Sequence, residues 1–429
     1  MTSSEPQPTS PARPLRLAVL GTGSRGMTYG RASVATGEAV VTALAEPRVL
    51  RREAAAAEFG VPADGSVATW QELADRPDLD VDAVVVATPD HQHTEPALAF
   101  LARRIPLLLE KPMAPSEAEA RLIVEAAERA GVVVCVAHVL RYSAYTEKVK
   151  SLLDSGAIGD VVSIEHLEPV GWWHQAHSYV RGNWRREDES NPMLLAKCCH
   201  DVDWLSYLVD RPALRVSSFG SLSHFTAANK PDGAGARCLD CAVEPDCPYS
   251  ARRIYLERLH EPAARRWPLS VLTEDLTREG VTTALREGPY GRCVYDCDND
   301  VVDHQVVNIE YAGGVTASLT MTAFTPMGFR KTRIFGTRGT LEGDGYTVSV
   351  FDFVTSRTTS TQVVDPQDAD ADDGHLGADA ALTRRFLAAV REGDPGRILT
   401  SPAESLHTHA IVWAAERARH LGRVEHVAG

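Results

Sequence analysis

The sequence predicts an α/β protein that opens on a doubly wound parallel sheet, and three observations carry that reading. An apolar run, LRLAVLG (15–21), meets GTGSRG at once and then a helical segment through Ala35. Buried, β-branched runs then alternate with helix-length segments as far as residue 138, the pattern of parallel strands covered on both faces. Beyond about residue 140, strands follow one another through turns instead. This divides the chain into domains at 15–140 and 141–429.

The first strand, turn and helix form a dinucleotide-binding unit. Gly21 permits the tight turn, Gly23 lets backbone amides approach a pyrophosphate, and Gly26 lets the helix pack closely on the strand. Ser24 and Arg25 complete this cofactor-facing turn. The second strand, EAVVTALAE (38–46), ends in Glu46, twenty residues after Gly26, where a carboxylate accepts the adenosine ribose hydroxyls. An acid there repels a 2′-phosphate, which favours NAD; Arg48, two residues on, keeps NADP as the alternative. Next come VDAVVVATP (81–89), a helix near 94–104, IPLLLEKP (105–112), a helix from Ser116 to Ala130, and VVVCVAH (132–138), whose Cys135 reads as core.

Composition narrows the function. The chain has 429 residues, 44% of them hydrophobic, enough for a core in each of two or three domains. Its 58 acidic and 44 basic side chains leave a formal net charge of -14, which disfavours nucleic acid as a partner. No apolar run reaches the roughly 18 residues a membrane span needs. The start, MTSSEPQPTSPARP, lacks the regions of a signal peptide and reads as a disordered tail over residues 1–14. A cytoplasmic protein is therefore expected, and eight cysteines in such a chain suggest thiols or metal ligands before disulfides.

LLLEKPMA places Glu110, Lys111 and Pro112 at the carboxyl end of a strand, where open α/β sheets bind ligands. With the glycine turn before it and ATPDHQH (87–93) between them, this order resembles the Gfo/Idh/MocA family of nicotinamide-dependent sugar and cyclitol oxidoreductases, from Leu15 to about Arg419. The resemblance implies an N-terminal Rossmann domain and a C-terminal α+β domain with a large, open, mainly antiparallel sheet. It puts Lys111 near the nicotinamide ribose and the reacting hydroxyl, with Glu110 orienting it, a cis peptide before Pro112, and Thr88, Pro89 and His93 at the cofactor. An ammonium beside a carbinol stabilises alkoxide character as hydride leaves. VVSIEHLE (161–168), HQVVNIEYAGGVTASLTMTA (304–323), KTRIFGTRGTLEGDG (331–345) and YTVSVFDF (346–353) fit the second sheet, with AGG as a hairpin turn. Segments 375–395 and 402–422 read as helices.

Asn191 before Pro192 predicts a helix to about Asp210 that contains the tetrad CCHD. At about 100° per residue, Leu195, Cys198, Val202, Leu205 and Val209 share an apolar stripe, while Lys197, His200, Asp201 and Trp204 share the opposite side. Cys199 joins neither, so CCHD does not close around one ion. The resemblance implies an Asp-x-x-x-His pair here, with His200 as the acid/base. Ala196 stands in the aspartate's place, and Lys197 beside it takes over part of binding or proton transfer.

Upstream, GWWHQAHSYVRGNWR (171–185) mixes aromatic and polar groups as a sugar-binding wall does, because C–H faces stack on rings while hydroxyls need polar partners. Trp173, His174, His177 and Tyr179 are the candidates; Arg181 or Lys197 could meet an anionic substituent, and Asp201 belongs to the same set. GHLGAD (374–379) resembles the family's GHGGGD loop, which adds His375 to the pocket and keeps Asp379. The acidic run 365–373 lacks the features of an EF-hand loop and reads as solvated.

Residues 226–298 interrupt the strand pattern, and RCLDCAVEPDCPYS supplies a C-x2-C pair, Cys238 and Cys241, plus Cys247. With Cys293 as fourth ligand, and Cys297 as its alternate, this spacing reads as a closed structural zinc site that pins an insertion poor in apolar residues; free thiols are the other reading. The expected function is NAD-dependent oxidation of a pyranoside or cyclitol hydroxyl carbon. The alternative is an NAD-dependent glycoside hydrolase that oxidises C3 transiently, eliminates, hydrates and reduces again, with Tyr179 or His174 as the extra base. The resemblance also implies a homo-oligomer, a dimer or tetramer.

Overall fold

Six short runs, most of them apolar on both faces, pair in parallel because helices separate them and cover the sheet from both sides. They are β1 (Leu15–Leu20), β2 (Ala39–Ala45), β3 (Ser66–Val67), β4 (Ala83–Val86), β5 (Leu107–Leu109) and β6 (Val134–Val136), in the order β3-β2-β1-β4-β5-β6. The order reverses between β1 and β4, and a crevice opens there at the carboxyl ends of the strands. This computed structural model describes residues 13–367 and 375–427. Most of the N-terminal tail and most of the acidic run lie outside the described residues.

Helices Ser24–Ala35, Thr94–Ala102 and Glu117–Ala130 stand where the sequence predicts them. Ser116 caps the third by accepting from the Glu119 amide, and Gly131 closes it at a left-handed φ of 62°. The core on one side of the parallel sheet joins Leu17, Val19, Tyr29 and Val85 to Leu382, Phe386 and Leu387. Those last three come from helix Ala378–Glu392, which returns from the far end of the chain.

The second sheet has nine strands: β7 (Val161–Pro169), β8 (Ala213–Ser221), β9 (His304–Tyr311), β10 (Thr316–Thr322), β11 (Lys331–Gly336), β12 (Gly339–Gly343), β13 (Thr347–Asp352), β14 (Arg357–Gln362) and β15 (Glu425–His426). Their order is β14-β13-β12-β11-β7-β10-β9-β8-β15, and every pair is antiparallel except β7 with β10. AGG forms the β9–β10 turn, with both glycines at φ 82°. One face packs Ile164, Val307 and Leu319 on Leu194 and Leu205. The opposite face carries the outward row Phe219, Val306, Thr320 and Leu167.

Two expectations need correction. The helix predicted from Asn191 to Asp210 is two helices, Met193–Ala196 and Cys199–Val209, broken at Lys197 and Cys198. Asn191 does not cap it; its side-chain amide donates to Asp90 instead. The break resets the phase on which the amphipathic stripes were drawn, and the second helix is buried on nearly all sides. Cys198 and Cys199 both lie in the core, where burial pushes the Cys199 thiol up to about 12.

The insertion between β8 and β9 also holds more apolar material than its sequence suggests. Ile254, Tyr255, Leu269, Val281 and Leu285 form a small core of their own. Their irregular spacing, without a period of 2 or 3.6, hides it from pattern reading. Among the described residues, no helix is long and apolar enough to cross a membrane.

Candidate active site

The glycine turn sits at the crevice. Gly21 has φ +82°, and a Cβ there would meet the Ala87 carbonyl oxygen at 2.5 Å; one on Gly26 would meet the Gly21 carbonyl oxygen at 1.9 Å. Turn and helix are thus locked together, while a Cβ on Gly23 would meet only the Arg51 guanidinium, at 3.8 Å. Helix Ser24–Ala35 has no side-chain cap and no acid in its first turn, so its leading amides point at the crevice without a competing anion. Glu46, at the end of β2, accepts from the Thr22 amide (3.0 Å), the Thr22 hydroxyl (3.2 Å) and the Arg48 amide (3.0 Å). Thr88 and Pro89 follow β4 on the same rim, and His93 lies behind them, its ring nitrogens 2.8 Å from the Pro112 carbonyl and 2.9 Å from the Thr88 carbonyl. His93 therefore braces two turns together.

Arg25 bridges the two ends of the chain. Its guanidinium donates to Glu110 at 2.6 Å and, through two nitrogens, to Asp379 at 2.5 and 3.0 Å. Tyr29 also donates to Glu110, at 2.7 Å, and the His375 ring lies 3.0 Å from Asp379. Burial opposes the ionisation of Glu110, yet Arg25 and Lys111 outweigh it and hold the carboxyl below its usual range. Glu110 in turn accepts the Lys111 backbone amide at 2.7 Å. Tyr29 and Asp379 gain these roles only through contacts across more than eighty residues.

Lys111 follows β5, and the peptide bond to Pro112 is cis. Its ammonium donates to the Ala196 carbonyl at 2.6 Å. In an unbroken helix that carbonyl would accept from the His200 amide, so the break at Lys197 releases an acceptor for Lys111.

His200 is the second residue of the helix Cys199–Val209 and is buried against His138 and His375, each with its ring centroid 5.7 Å away. Burial first, then the Lys111 charge, pulls its pKa well below the ordinary imidazole range. The imidazole is neutral, and its Nδ1 has no hydrogen-bond partner among the described residues.

Asp201 does not join the pocket. It is 0% exposed and locked to Arg330 (2.9 Å) and His166 (3.0 Å) beneath the helix. Lys197 stands 3.4 Å from Glu168, which Arg330 also pairs at 2.7 Å.

Trp173, His174 and His177 gather around a residue the sequence did not indicate, and Tyr179 joins them through His174, 5.8 Å between ring centroids. Trp267 of the insertion meets the rings of Trp173 (5.0 Å), His174 (4.9 Å) and His177 (5.3 Å). His174 is held neutral, well below its ordinary pKa, by burial and then by Lys197. His177 is pushed down to about 3 by burial, and its Nδ1 lies 2.9 Å from the Tyr255 hydroxyl. Arg181 turns away from this wall toward Cys238, donating also to the carbonyls of Arg292 and Tyr249. At the other end of the crevice, Glu274 of the insertion reaches Arg48 (3.7 Å) and Arg51 (3.8 Å). The insertion thus contacts both the arginines that follow Glu46 and the aromatic wall.

Comparison with known proteins accords with this arrangement. The family model described as "Oxidoreductase family, NAD-binding Rossmann fold" matches residues 15–138, and its companion, "Oxidoreductase family, C-terminal alpha/beta domain", matches 150–424. Inositol 2-dehydrogenase of Streptomyces avermitilis is 41% identical over 148 residues, 34% of this chain and 42% of that protein. The 2,7-anhydro-N-acetylneuraminate hydratase of Escherichia coli is 28% identical over 145 residues, 34% of this chain and 38% of that one. The chain spans 38% to 60% of the lengths of these and other curated relatives. A solved levoglucosan dehydrogenase in complex with NADH and levoglucosan shares the fold, with a TM-score of 0.70 at 18% identity over 97% of this chain and 100% of that one. With both family domains matched in order along nearly the whole chain, the protein belongs to the Gfo/Idh/MocA oxidoreductase family.

Proposed function

We propose that the protein is an NAD-dependent carbohydrate dehydrogenase acting on a hydroxyl carbon of a pyranoside or cyclitol. The observation that carries this reading is that Lys111, at the carboxyl edge of the parallel sheet, is fixed on the Ala196 carbonyl while its charge acts on the buried His200, a held cation and a neutral base. The uncapped helix behind Gly23, together with Glu46 at the ribose position, fits a dinucleotide. When bound, NAD supplies the hydride acceptor. Lys111 draws the substrate hydroxyl toward alkoxide character, and His200 takes its proton. Lys197 and the aromatic wall orient the ring.

Stoichiometric NADH from a panel of pyranosides and cyclitols tests the reading. His174, neutral and beside Tyr179 at 5.8 Å between ring centroids, favours a second one, redox-neutral glycoside cleavage. Phenol release from aryl glycosides with catalytic NAD and no net NADH would replace the first with the second.

Two variants probe the ends of the crevice. Glu46→Ala should raise the KM for NAD about tenfold and narrow the preference over NADP, since a hydrogen bond to a charged group is worth roughly 1.5–3 kcal/mol. Unchanged cofactor kinetics would remove Glu46 from the site. Trp267→Ala should raise the carbohydrate KM roughly three- to tenfold, the scale of one lost ring contact, with the KM for NAD unmoved. We further infer a homo-oligomer that packs through the open face of the nine-stranded sheet, around Phe219 and Leu167. Sedimentation velocity reads this directly.

A further inference from the structure

We propose that Cys238, Cys241, Cys247 and Cys293 bind one zinc ion as four thiolates, with Arg181 as the buried cation that balances their charge. The four residues line a single cavity of about 150 Å³, and Arg181 lines it too. Folding, more than spacing, assembles them. Arg237 and Arg292 form an antiparallel bridge, and the Cys293 amide donates to the Ala236 carbonyl at 2.9 Å, so the first and last cysteines are brought side by side across fifty-five positions.

Each of the four sulfurs faces an N–H donor. Arg181 Nη2 donates to Cys238 Sγ at 3.3 Å and the Gly235 amide to Cys241 Sγ at 3.3 Å. The amides of Tyr249 and Tyr295 act on Cys247 and Cys293, two residues upstream of each. A thiol is a weak acceptor, whereas a metal-bound thiolate is oriented and tuned by such donors. Cys297 behaves oppositely: it does not line the cavity, and its thiol donates to the Cys293 carbonyl at 3.2 Å. That contrast separates the fourth ligand from its alternate.

Arg181 supplies the independent observation. It is 1% exposed, has no carboxylate partner among the described residues, and meets Cys238, the Tyr255 hydroxyl and two backbone carbonyls. A buried guanidinium without an anion is costly, and a tetrathiolate zinc centre carries two negative charges beside it. All four cysteines are free of disulfides. No three of their sulfurs lie within 4.8 Å of one another, so the ion would draw short turns inward, and a closed S4 set without a water position makes the role structural.

The test uses the full chain, purified without chelators. Elemental analysis should find about one zinc per chain; a few tenths or less of any transition metal, or stoichiometric iron, would overturn the assignment. Cys297→Ser should keep its zinc and Cys293→Ser should lose it, and the reverse pattern would overturn the ligand set. Because ligand variants can misfold, protein grown with cobalt gives a second readout on the unaltered sequence. Thiolate-to-cobalt charge transfer with intense tetrahedral d–d bands is expected, and their absence would defeat the proposal.

Discussion

Lys111→Ala should lower kcat/KM for carbohydrate oxidation by roughly a thousandfold, the scale on which one preorganised charge stabilises a developing oxyanion. The lysine is tied at both ends. Its backbone amide donates to Glu110, which Arg25 and Tyr29 hold, and its ammonium donates to the Ala196 carbonyl. Because the cation is positioned before substrate arrives, its loss should fall on kcat more than on NAD affinity. Lys111→Arg should not rescue the rate, since a planar guanidinium presents its charge at a different place from a compact ammonium. Steady-state kinetics with parallel NAD titrations separate the two effects. A loss of less than tenfold would place Lys111 outside the chemistry.

His200→Asn should reduce kcat by about 10²- to 10⁴-fold, the usual weight of a positioned general base. Its distinguishing readout is pH. Burial and the neighbouring Lys111 charge disfavour the imidazolium, so the folded pKa lies below the unperturbed value of about 6.5. The basic form then persists as pH falls through the range where a solvent-exposed histidine protonates. In the wild type, kcat/KM should therefore hold level below about pH 6.5 before the acidic limb begins, and that limb should vanish in the variant. A wild-type midpoint near the ordinary histidine value would show that His200 is not held neutral, and an unchanged limb in the variant would assign it to another group.

The parts of this protein legible in its sequence are those whose geometry is local. Gly21, Gly26 and Glu46 take their places from a strand, a turn and a fixed count of residues, and Lys111 from the end of a strand. Ser116 and Gly131 bound their helix because caps are chosen within one turn. Contacts between distant segments stayed hidden. Nothing near Trp173 points to Trp267, ninety-four positions on, nor does Arg25 signal Asp379. The wheel put Asp201 and His200 in one polar group although neighbours in a helix stand about 100° apart, and inside Cys199–Val209 that angle sends Asp201 to Arg330 and His166 while His200 turns to His138 and His375. Arg181 was misplaced for a related reason. Its neighbours in sequence face the wall, but it closes an irregular helical turn, Gln175–Arg181, and is aimed into the insertion.

Helix Ala378–Glu392 sets an order on the birth of the molecule. It supplies Leu382, Phe386 and Leu387 to the core of a sheet whose strands end at residue 136, and Asp379 to the arginine that holds Glu110 beside Lys111. Synthesis runs from the N-terminus, and domains usually fold as they emerge. Here the first sheet leaves the ribosome with one flank only partly covered, and more than two hundred residues must follow before the helix that completes it appears. The nascent chain therefore carries an unfinished cofactor domain until a helix from far downstream completes it.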